Sequence, residues 1–391
     1  MPHAISRRAL AKGALLAPLA LVGCSGETPA DPDKDGAQAQ GLAALGEPSP
    51  VPLARATQFS LDSFEGGWKL ATLASGESLL VVPEGEVAPE GLEDGVAVVR
   101  QPLENVYLAS TGMICLVDAI GALDAISVSS MRAEDSPVPA FTERLEDGTI
   151  AYGGIYRAPD YELITAAGCP LAIENTNIDH VPEVRAKLQE LGVTVLMEQS
   201  SREDSMLGRL EWIKLMGALF DRDDEAAAVF SDVAARVEEA ASEGPTGKTV
   251  AFFYVNEDGA AVTRRDGDYF CQMIEAAGGE YVSFSEEGAA DASPTTITVE
   301  MERFYEGARD ADVIIYNATI DGGVGSLEEL CEKNALLADF RAVREGNVWT
   351  CDSNLYQQMT SMADIIFDLR AALSGSGETS PKDGGFFWRL S

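Results

Sequence analysis

The chain has 391 residues, a hydrophobic fraction of 46% and a formal net charge of −36. Its length and composition suffice for a full hydrophobic core and predict two domains or one two-lobed domain. So large an acidic excess repels nucleic acid and anionic lipid headgroups, which excludes binding of either by a charged surface. No stretch beyond residue 24 has the length and hydrophobicity of a transmembrane helix.

The N-terminal residues 1–23 have the pattern of an export signal. Arg7 and Arg8 precede an apolar run over residues 14–22, which is too short to cross a bilayer. Small residues stand just before Cys24, as cleavage ahead of a lipidated cysteine requires. The pattern predicts a lipoprotein whose mature chain begins at Cys24 and is anchored to the cell membrane outside the cytoplasm, where ATP and NADH are absent.

The same segment leaves alternatives open. Its arginines resemble the twin-arginine signal for export of folded proteins, although Ala9-Leu10 is a loose match to the residues preferred after them. The general secretory route and an ordinary N-terminal helix are the other two interpretations. The signal carries three basic residues, so the mature chain has a charge near −39. We therefore expect the lipid, rather than a basic surface, to make the membrane contact.

Cysteine and histidine usage limits the chemistry of the mature chain. Five cysteines follow Cys24, none in a Cys-x-x-Cys pair, so at least one is unpaired unless a disulfide joins two chains. A bridge between Cys331 and Cys351 is conceivable, whereas most cysteines are expected to be small apolar core residues. His180 is the one histidine after the signal, which excludes a histidine-rich metal site. No metal site or cofactor is predicted.

Composition and periodicity divide the mature chain. Residues 24–56, rich in Gly, Pro, Ala, Asp and Gln, predict a flexible tether. An N-terminal α/β lobe is predicted over residues 57–205, and it begins with a hairpin around Ser75-Gly76. Further strands and helices are predicted, in chain order, at 106–109, 113–120, 125–128, 159–167, 171–173, 182–191 and 193–197. Their alternation predicts a parallel sheet with helices on its faces.

A helical connector over residues 206–243 follows this lobe. Its second helix has about 19 residues and a length of about 28 Å. Residues 244–391 predict a C-terminal α/β lobe, with a capping box at Ser326 opening one helix. The other elements of this lobe are predicted at 249–255, 268–277, 281–284, 313–316, 348–351 and 359–373. The apolar tail 386–390 is expected to pack against a lobe.

Three segments carry a resemblance to a known family. Gly153-Gly154, followed by residues 159–164 and 170–173, matches a first family pattern; residues 191–195 match a second, and residues 302–315 a third. Together with the lipoprotein signal and the long helix, they resemble the substrate-binding lipoproteins of ABC importers for iron complexes and cobalamin, the class with a helical backbone. The likeness covers about residues 100–375. It implies two Rossmann-like α/β lobes, a ligand cleft between them and no catalysis.

Two features depart from the family pattern. Cys169-Pro170-Leu171 stands where the family usually has Pro-Asp-Leu, and the hairpin region before residue 100 is an addition.

The expected ligand cleft lies at the carboxyl ends of the strands, where open α/β sheets bind their ligands. Aromatic and amide groups suit a bulky, partly polar ligand, and arginines donate paired hydrogen bonds to carboxylate or catecholate oxygens. The candidate ligand contacts are Thr111, Met131, Arg132, Asn175, Asn177, His180, Tyr254, Arg264, Arg265, Asn317 and Tyr356. Simpler alternatives stay open: solvated turn residues for Arg264 and Arg265, a helix cap for His180, and core packing for Met131.

Two glutamates are candidates for docking to a permease. Glu162 and Glu302 match positions at which the family places one glutamate on each lobe to meet arginines of the permease. The resemblance thus implies that the protein acts as a monomer with an ABC permease and its ATPase as partners. The alternative is that both are ordinary exposed helical glutamates.

The sequence as a whole predicts an extracytoplasmic receptor that captures an iron chelate, a siderophore or haem, and delivers it to a permease. A cobalamin receptor of the same fold is the first alternative. A secreted lipoprotein enzyme requires a nucleophile with a base or a pair of tuned carboxylates, and the sequence contains neither Gly-x-Ser-x-Gly nor His-Glu-x-x-His. An adhesin built from repeats is disfavoured because no repeat is visible.

Replacing Cys24 by Ala tests the export prediction. Without the thiol that accepts diacylglycerol, the protein should remain unprocessed or be released from the cell. Radiolabelled palmitate and cell fractionation measure this outcome, with Cys331→Ala as the control that should keep its lipid. A Cys24→Ala protein that still carries lipid would overturn the interpretation of residues 1–24.

Overall fold

The structure, a computed structural model, describes residues 40–285, 295–376 and 385–391. The export signal, Cys24 and the first part of the predicted tether lie outside the described residues. Across the described ranges, no helix has both the length and the apolar character that crossing a membrane demands. The described cysteines, Cys331 and Cys351 among them, are all free thiols, and four of the five are buried as expected.

An N-terminal sheet of five strands comes first. Its strands are Ser49–Pro50 (β1), Phe59–Ser63 (β2), Lys69–Leu73 (β3), Ser78–Val82 (β4) and Val96–Arg100 (β5). The first four are antiparallel, and β5 pairs with β4 in parallel. The predicted hairpin is confirmed as β3 and β4, with Gly76 at a φ of 90° that a residue with a side chain rarely adopts. Alternate residues face two cores: Leu61 and Val81 pack with the N-terminal lobe, and Leu80 and Val82 form a small separate cluster.

The N-terminal lobe has a second five-stranded sheet. Its elements are Val106–Leu108 (β6), Ile114–Ala119 (α1), Ile126–Ser129 (β7), Pro139–Glu146 (α2), Ala151–Tyr152 (β8), Tyr161–Ala166 (α3), Leu171–Asn175 (β9), Pro182–Glu190 (α4) and Thr194–Glu198 (β10). The strand order is β10-β9-β6-β7-β8, and every pair is parallel. This confirms the predicted parallel sheet. The sequence analysis missed α2 and β8, which are short and weakly patterned.

Three helices form the connector. They are Met206–Glu211 (α5), Ile213–Phe220 (α6) and Asp223–Ser242 (α7). The long predicted helix is α7, with 20 residues, and it buries a stripe that includes Val233 and Val237. Asp221, in the left-handed conformation at a φ of 56°, ends α6 and turns the chain into α7. Because α6 is buried along nearly its whole length, the connector is part of the core.

The C-terminal lobe has a seven-stranded mixed sheet. Its elements are Lys248–Val255 (β11), Ala261–Arg264 (β12), Tyr269–Ala276 (α8), Gly279–Tyr281 (β13), Thr296–Val299 (β14), Met301–Ala308 (α9), Val313–Tyr316 (β15), Ala318–Asp321 (α10), Leu327–Lys333 (α11), Arg341–Glu345 (α12), Val348–Cys351 (β16), Met362–Leu373 (α13) and Phe387–Arg389 (β17). The order is β14-β12-β11-β15-β16-β17, and β13 also pairs with β11. The antiparallel strands β12 and β14 were not predicted, and β13 lies earlier than expected.

The predicted packing of the apolar tail is confirmed. Strand β17 pairs antiparallel with β16 and closes that edge of the sheet. The backbone amides of Phe386 and Phe387 both donate to Oδ2 of Asp368 on α13, over 2.6 and 3.0 Å. A single carboxylate therefore anchors the end of the chain.

The prediction of a flexible tether up to residue 56 is wrong for its last part. Residues 40–56 include a short 3₁₀ helix, Gly41–Leu45, and strand β1. The amides of residues 54–56 donate to the buried carboxylate of Glu211 on α5. These bonds hold the segment on the connector, and composition alone could not reveal them because the acceptor lies more than 150 residues away.

Candidate functional site

A cleft of about 310 Å³ lies where the two lobes meet at α5. From the N-terminal lobe, the loops after β6, β9 and β10 contribute hydroxyls, amides and one carboxylate: Ser110, Thr111, Asn175, Asn177, Glu198 and Ser200. From α5 and the C-terminal lobe come two arginines, two tyrosines and an amide: Arg209, Arg264, Tyr269, Tyr356 and Gln357. The carboxyl ends of parallel strands thus form one wall, as the topology requires.

Glu198 organises the wall of the N-terminal lobe. One carboxylate oxygen accepts a hydrogen bond from the Ser110 hydroxyl at 2.8 Å, and the other accepts the Ser200 amide at 2.7 Å. In the neighbouring loop, the Asn175 side chain accepts the amide of Asn177 at 2.9 Å. Each loop is therefore fixed by a side chain at the end of its own strand, which presents preset hydrogen-bonding groups to the cleft.

Two buried arginines stacked on tyrosines form the opposite wall. Arg209 lies over the ring of Tyr269 at 3.9 Å, and Arg264 lies over the ring of Tyr356 at 4.5 Å. The two tyrosine rings meet edge to face, with 5.8 Å between their centroids. Both arginines are only 7% exposed. The four side chains form an interlocked cluster, hereafter the arginine–tyrosine cluster.

Several polar atoms of this wall have no partner among the described residues. They are Nε of Arg209, the hydroxyl of Tyr356 and Oε1 of Gln357, all buried. Asp268 lies 3.6 Å from Arg264. Burial raises the pKa of the Asp268 carboxyl, and this effect exceeds the lowering by Arg264. Buried polar groups are costly unless a bound group satisfies them: the Arg209 Nε–H and the Tyr356 hydroxyl can donate to a ligand, and Oε1 of Gln357 can accept from one.

Five of the predicted contact residues line the cleft: Thr111, Asn175, Asn177, Arg264 and Tyr356. Arg264 was expected in a loop, but it is the last residue of β12 and is buried. The sequence analysis did not predict β12, so the loop was placed too early. The backbone of Arg264 is paired with β14 in the sheet, which fixes its position.

Three other predicted contacts belong to the protein interior. Met131 is a core residue of the N-terminal lobe. The Asn317 side chain caps α10 by accepting the amide of Thr319. Tyr254 packs against the core of the C-terminal lobe, and burial raises its pKa. All three residues were selected because they lie at or near the carboxyl end of a predicted strand. Their side chains instead pack in the core or cap a helix.

The remaining predicted contacts lie outside the cleft. Arg132 is exposed, lies 5.2 Å from the ring centroid of Tyr152 and faces Glu134. His180 is the exposed last residue of the 3₁₀ helix Thr176–His180. Arg265 lines an adjacent cavity together with Asp266 and Asp204.

Other cleft residues escaped the sequence analysis. Glu198 is the last residue of β10 and Ser200 follows it closely, so the same strand-end rule that selected Asn175 could have found them. Arg209 and Tyr269 could not be found in this way, because both lie within helices, and only the packing of α5 against α8 brings them together.

The family profile described as periplasmic binding protein matches residues 142–355, more than half of the chain. The chain belongs to this family. The matched residues of this periplasmic binding protein include the later part of the N-terminal lobe, the connector and the C-terminal lobe as far as β16, and the N-terminal sheet, β6, α1 and β7 lie before them.

This periplasmic binding protein is also similar to a curated lipoprotein and to solved structures of the same fold. An uncharacterized lipoprotein of Methanocaldococcus jannaschii is 26% identical over 322 residues, which cover 78% of this chain and 75% of the relative. A periplasmic haem-binding protein from Pseudomonas aeruginosa shares the fold with a TM-score of 0.56 and 18% identity, over 74% of this chain and 98% of that one. A possible iron-binding, periplasmic solute-binding protein from Staphylococcus epidermidis has a TM-score of 0.55 and 14% identity, over 69% and 98% of the two chains. These neighbours are binding proteins, and they confirm the two-lobed α/β fold.

A buried acid lies directly before the cleft residue Asn175. Glu174 on β9 is fully buried, and neither of its carboxylate oxygens has a partner among the described residues. The Tyr107 hydroxyl on the adjacent strand is also buried without a described partner. Burial raises the pKa of Glu174 to about 8, so the carboxyl is largely protonated at neutral pH.

Replacing Glu174 by Gln should make the protein less sensitive to alkaline pH. The folded pKa of about 8 lies above the unfolded value of about 4.3, so the native state holds the extra proton and its stability falls as pH rises through this window. Glu174→Gln mimics the protonated acid and should flatten the fall in Tm between about pH 5 and 9. The exposed Glu146→Gln should leave the slope unchanged. An unaltered slope in Glu174→Gln contradicts the prediction.

Proposed function

We propose that this protein is a lipid-anchored, extracytoplasmic receptor that captures an anionic iron–siderophore chelate in the cleft and delivers it to an ABC permease. The observation that carries the proposal is the arginine–tyrosine cluster. The names of its solved structural neighbours, which include a haem-binding and a possible iron-binding protein, support an iron-containing ligand.

The charge balance of the chain makes an anionic ligand the best match. The chain has 64 acidic residues against 28 lysines and arginines, yet two of its arginines are buried side by side in one cleft. Burying a guanidinium group costs free energy unless it is paired. Stacking on tyrosine satisfies the flat face of each guanidinium and leaves the N–H groups in its plane for carboxylate or catecholate oxygens.

The polarity of the cleft favours an oxygen-rich ferric chelate over haem or cobalamin. The wall opposite the arginines consists of hydroxyls, amides and a carboxylate, which suit polar ligand groups better than the apolar faces of a porphyrin or corrin. Haem also needs an axial ligand from the protein. Burial raises the pKa values of Tyr269 and Tyr356, which makes both poor sources of a tyrosinate ligand.

Ligand binding tests this proposal directly. The purified protein is mixed with ferric enterobactin, ferric citrate, haem or cyanocobalamin and passed through gel filtration, and we expect a ferric chelate to be retained. Arg264→Gln should weaken its affinity at least about tenfold, since a hydrogen bond to a charged group contributes about 1.5 to 3 kcal/mol. The exposed Arg309→Gln makes the same charge change and should stay within about twofold. Retention of cyanocobalamin alone would favour the cobalamin receptor instead.

The two candidate docking glutamates have matching positions. Glu162 lies in the first turn of α3, which precedes β9, and Glu302 lies in the first turn of α9, which precedes β15. Both are exposed. One carboxylate on each lobe would let a permease contact both lobes at once. Such charges affect the rate of association and the orientation of the complex more than its affinity.

Replacing both Glu162 and Glu302 by Ala should leave chelate affinity intact and reduce uptake by whole cells. Each single substitution should have a smaller effect, because one docked lobe still orients the complex. Removing Glu238 and Glu239 on α7 makes the same charge change as a control and should leave uptake near normal. Loss of chelate binding in the Glu162/Glu302 double variant, or normal uptake, would contradict the docking role.

A further inference from the structure

We propose that the N-terminal sheet is a working part of the ligand site, because its segment 54–58 holds α5 and thereby positions Arg209. The inference rests on the proposed function, since chelate affinity is one of its readouts. Glu203 and Glu211, together with segment 54–58, are called the amide clamp below. Arg209 contacts the cleft directly, and the clamp residues are positioning residues.

Glu211 makes the strongest contact of the clamp. Its side chain is 0% exposed and accepts the backbone amides of Ala54, Arg55 and Ala56 over 2.7, 2.7 and 2.8 Å. Lys214 adds an ion pair at 2.6 Å. Burial raises the pKa of Glu211, but Lys214 and the three amides outweigh it, so the net pKa lies below the ordinary value. Glu211 is thus charged at neutral pH, and hydrogen bonds to an ionised acceptor are the strong ones.

Glu203 continues the clamp along the same segment. It accepts the amide and the hydroxyl of Thr57 over 2.7 and 2.9 Å and the amide of Gln58 at 3.1 Å. It also accepts the indole N–H of Trp212 at 2.9 Å. Five consecutive backbone amides, those of residues 54–58, therefore donate to two carboxylates, one just before α5 and one at its last residue.

The helix lies directly on this segment. A Cβ atom at Gly208 would come within 3.1 Å of the Arg55 carbonyl oxygen and 3.2 Å of a Glu203 carboxylate oxygen, which is too close for ordinary packing. Glycine thus permits the close approach, and the contact leaves α5 little room to shift or rotate.

The helical repeat places Arg209 nearly opposite the clamp. Arg209 and Glu211 are two positions apart in the sequence, which at 3.6 residues per turn is a rotation of about 200° around the helix axis. One face of α5 thus meets segment 54–58, and the other presents Arg209 to Tyr269. On the C-terminal lobe, the Gln272 side chain accepts the amide of Met206 at 3.3 Å. The helix is held between the added sheet and α8, with the arginine aimed at the cleft.

A double-mutant cycle tests the inference. The probe is ferric enterobactin or ferric citrate, whichever the wild-type protein retains, and affinity is measured by tyrosine and tryptophan fluorescence. Glu211→Gln should weaken binding at least about fivefold when Arg209 is present and less than twofold in an Arg209→Gln background. Lys69→Met removes a different contact of the N-terminal sheet, the ion pair with Asp223 on α7. It should lower Tm without changing affinity.

Equal losses of affinity in both backgrounds, or no loss in Glu211→Gln, would overturn the inference. If Glu211→Gln does not fold, Gly208→Ala forces the same face of α5 away from the segment and should give the same pattern. If the wild-type protein retains neither chelate, the proposed function fails, and the coupling between the clamp and Arg209 is then tested by thermal unfolding without ligand. The double variant Glu211→Gln/Arg209→Gln should lose less Tm than the sum of the two single losses. A loss equal to that sum would overturn the inference.

Discussion

Carboxylates bound to backbone amides anchor two segments of this molecule that lie outside the residues matched by the family profile. Acidic residues outnumber basic ones more than twofold, and these carboxylates are satisfied mainly by backbone amides; Lys214 is the one cation paired with Glu211 among the described residues. Glu211 and Glu203 take amides of segment 54–58, and Asp368 takes those of Phe386 and Phe387. A backbone amide donates a hydrogen bond without adding a charge, so it can satisfy a carboxylate in place of a lysine or arginine side chain. Both the first and the last described strands are anchored in this way.

Because basic residues are few in this chain, the burial of two arginines in one cleft is informative. On the surface, arginines pair with nearby acids, as Arg144 does with Asp124 and Arg236 with Asp364, and such exposed pairs contribute little to stability. In the cleft both arginines stack on neutral tyrosine rings, and Arg264 in addition lies 3.6 Å from the buried carboxylate of Asp268. An anionic ligand, as proposed above, would be recognised there by close contact with the arginines, because the long-range field of so acidic a molecule repels anions.

The sequence predicted the framework of the fold well because periodic patterns are local. The parallel sheet of the N-terminal lobe, helix α7 and the packing of the tail all follow from apolar spacing and turn residues. The site was predicted less well, and Arg264 shows why: its role depends on strand β12, which pairs with β11 and β14 rather than following the βαβ order. Arg209 depends on a contact between α5 and α8, and no pattern within either helix records that contact.

Segment 54–58 shows the limit of composition most clearly. Its sequence reads as part of a flexible linker, yet its amides meet two carboxylates on the connector, and the burial of those acids is a property of the folded core. This arrangement has a functional logic. A receptor gains affinity when its binding groups are already in place, since ordering them on binding would consume part of the interaction free energy. Arg209 lies on the connector and not on a sheet of either lobe, so the connector itself must be held in place. The N-terminal sheet does this, because its clamp holds the face of α5 that the cleft leaves free.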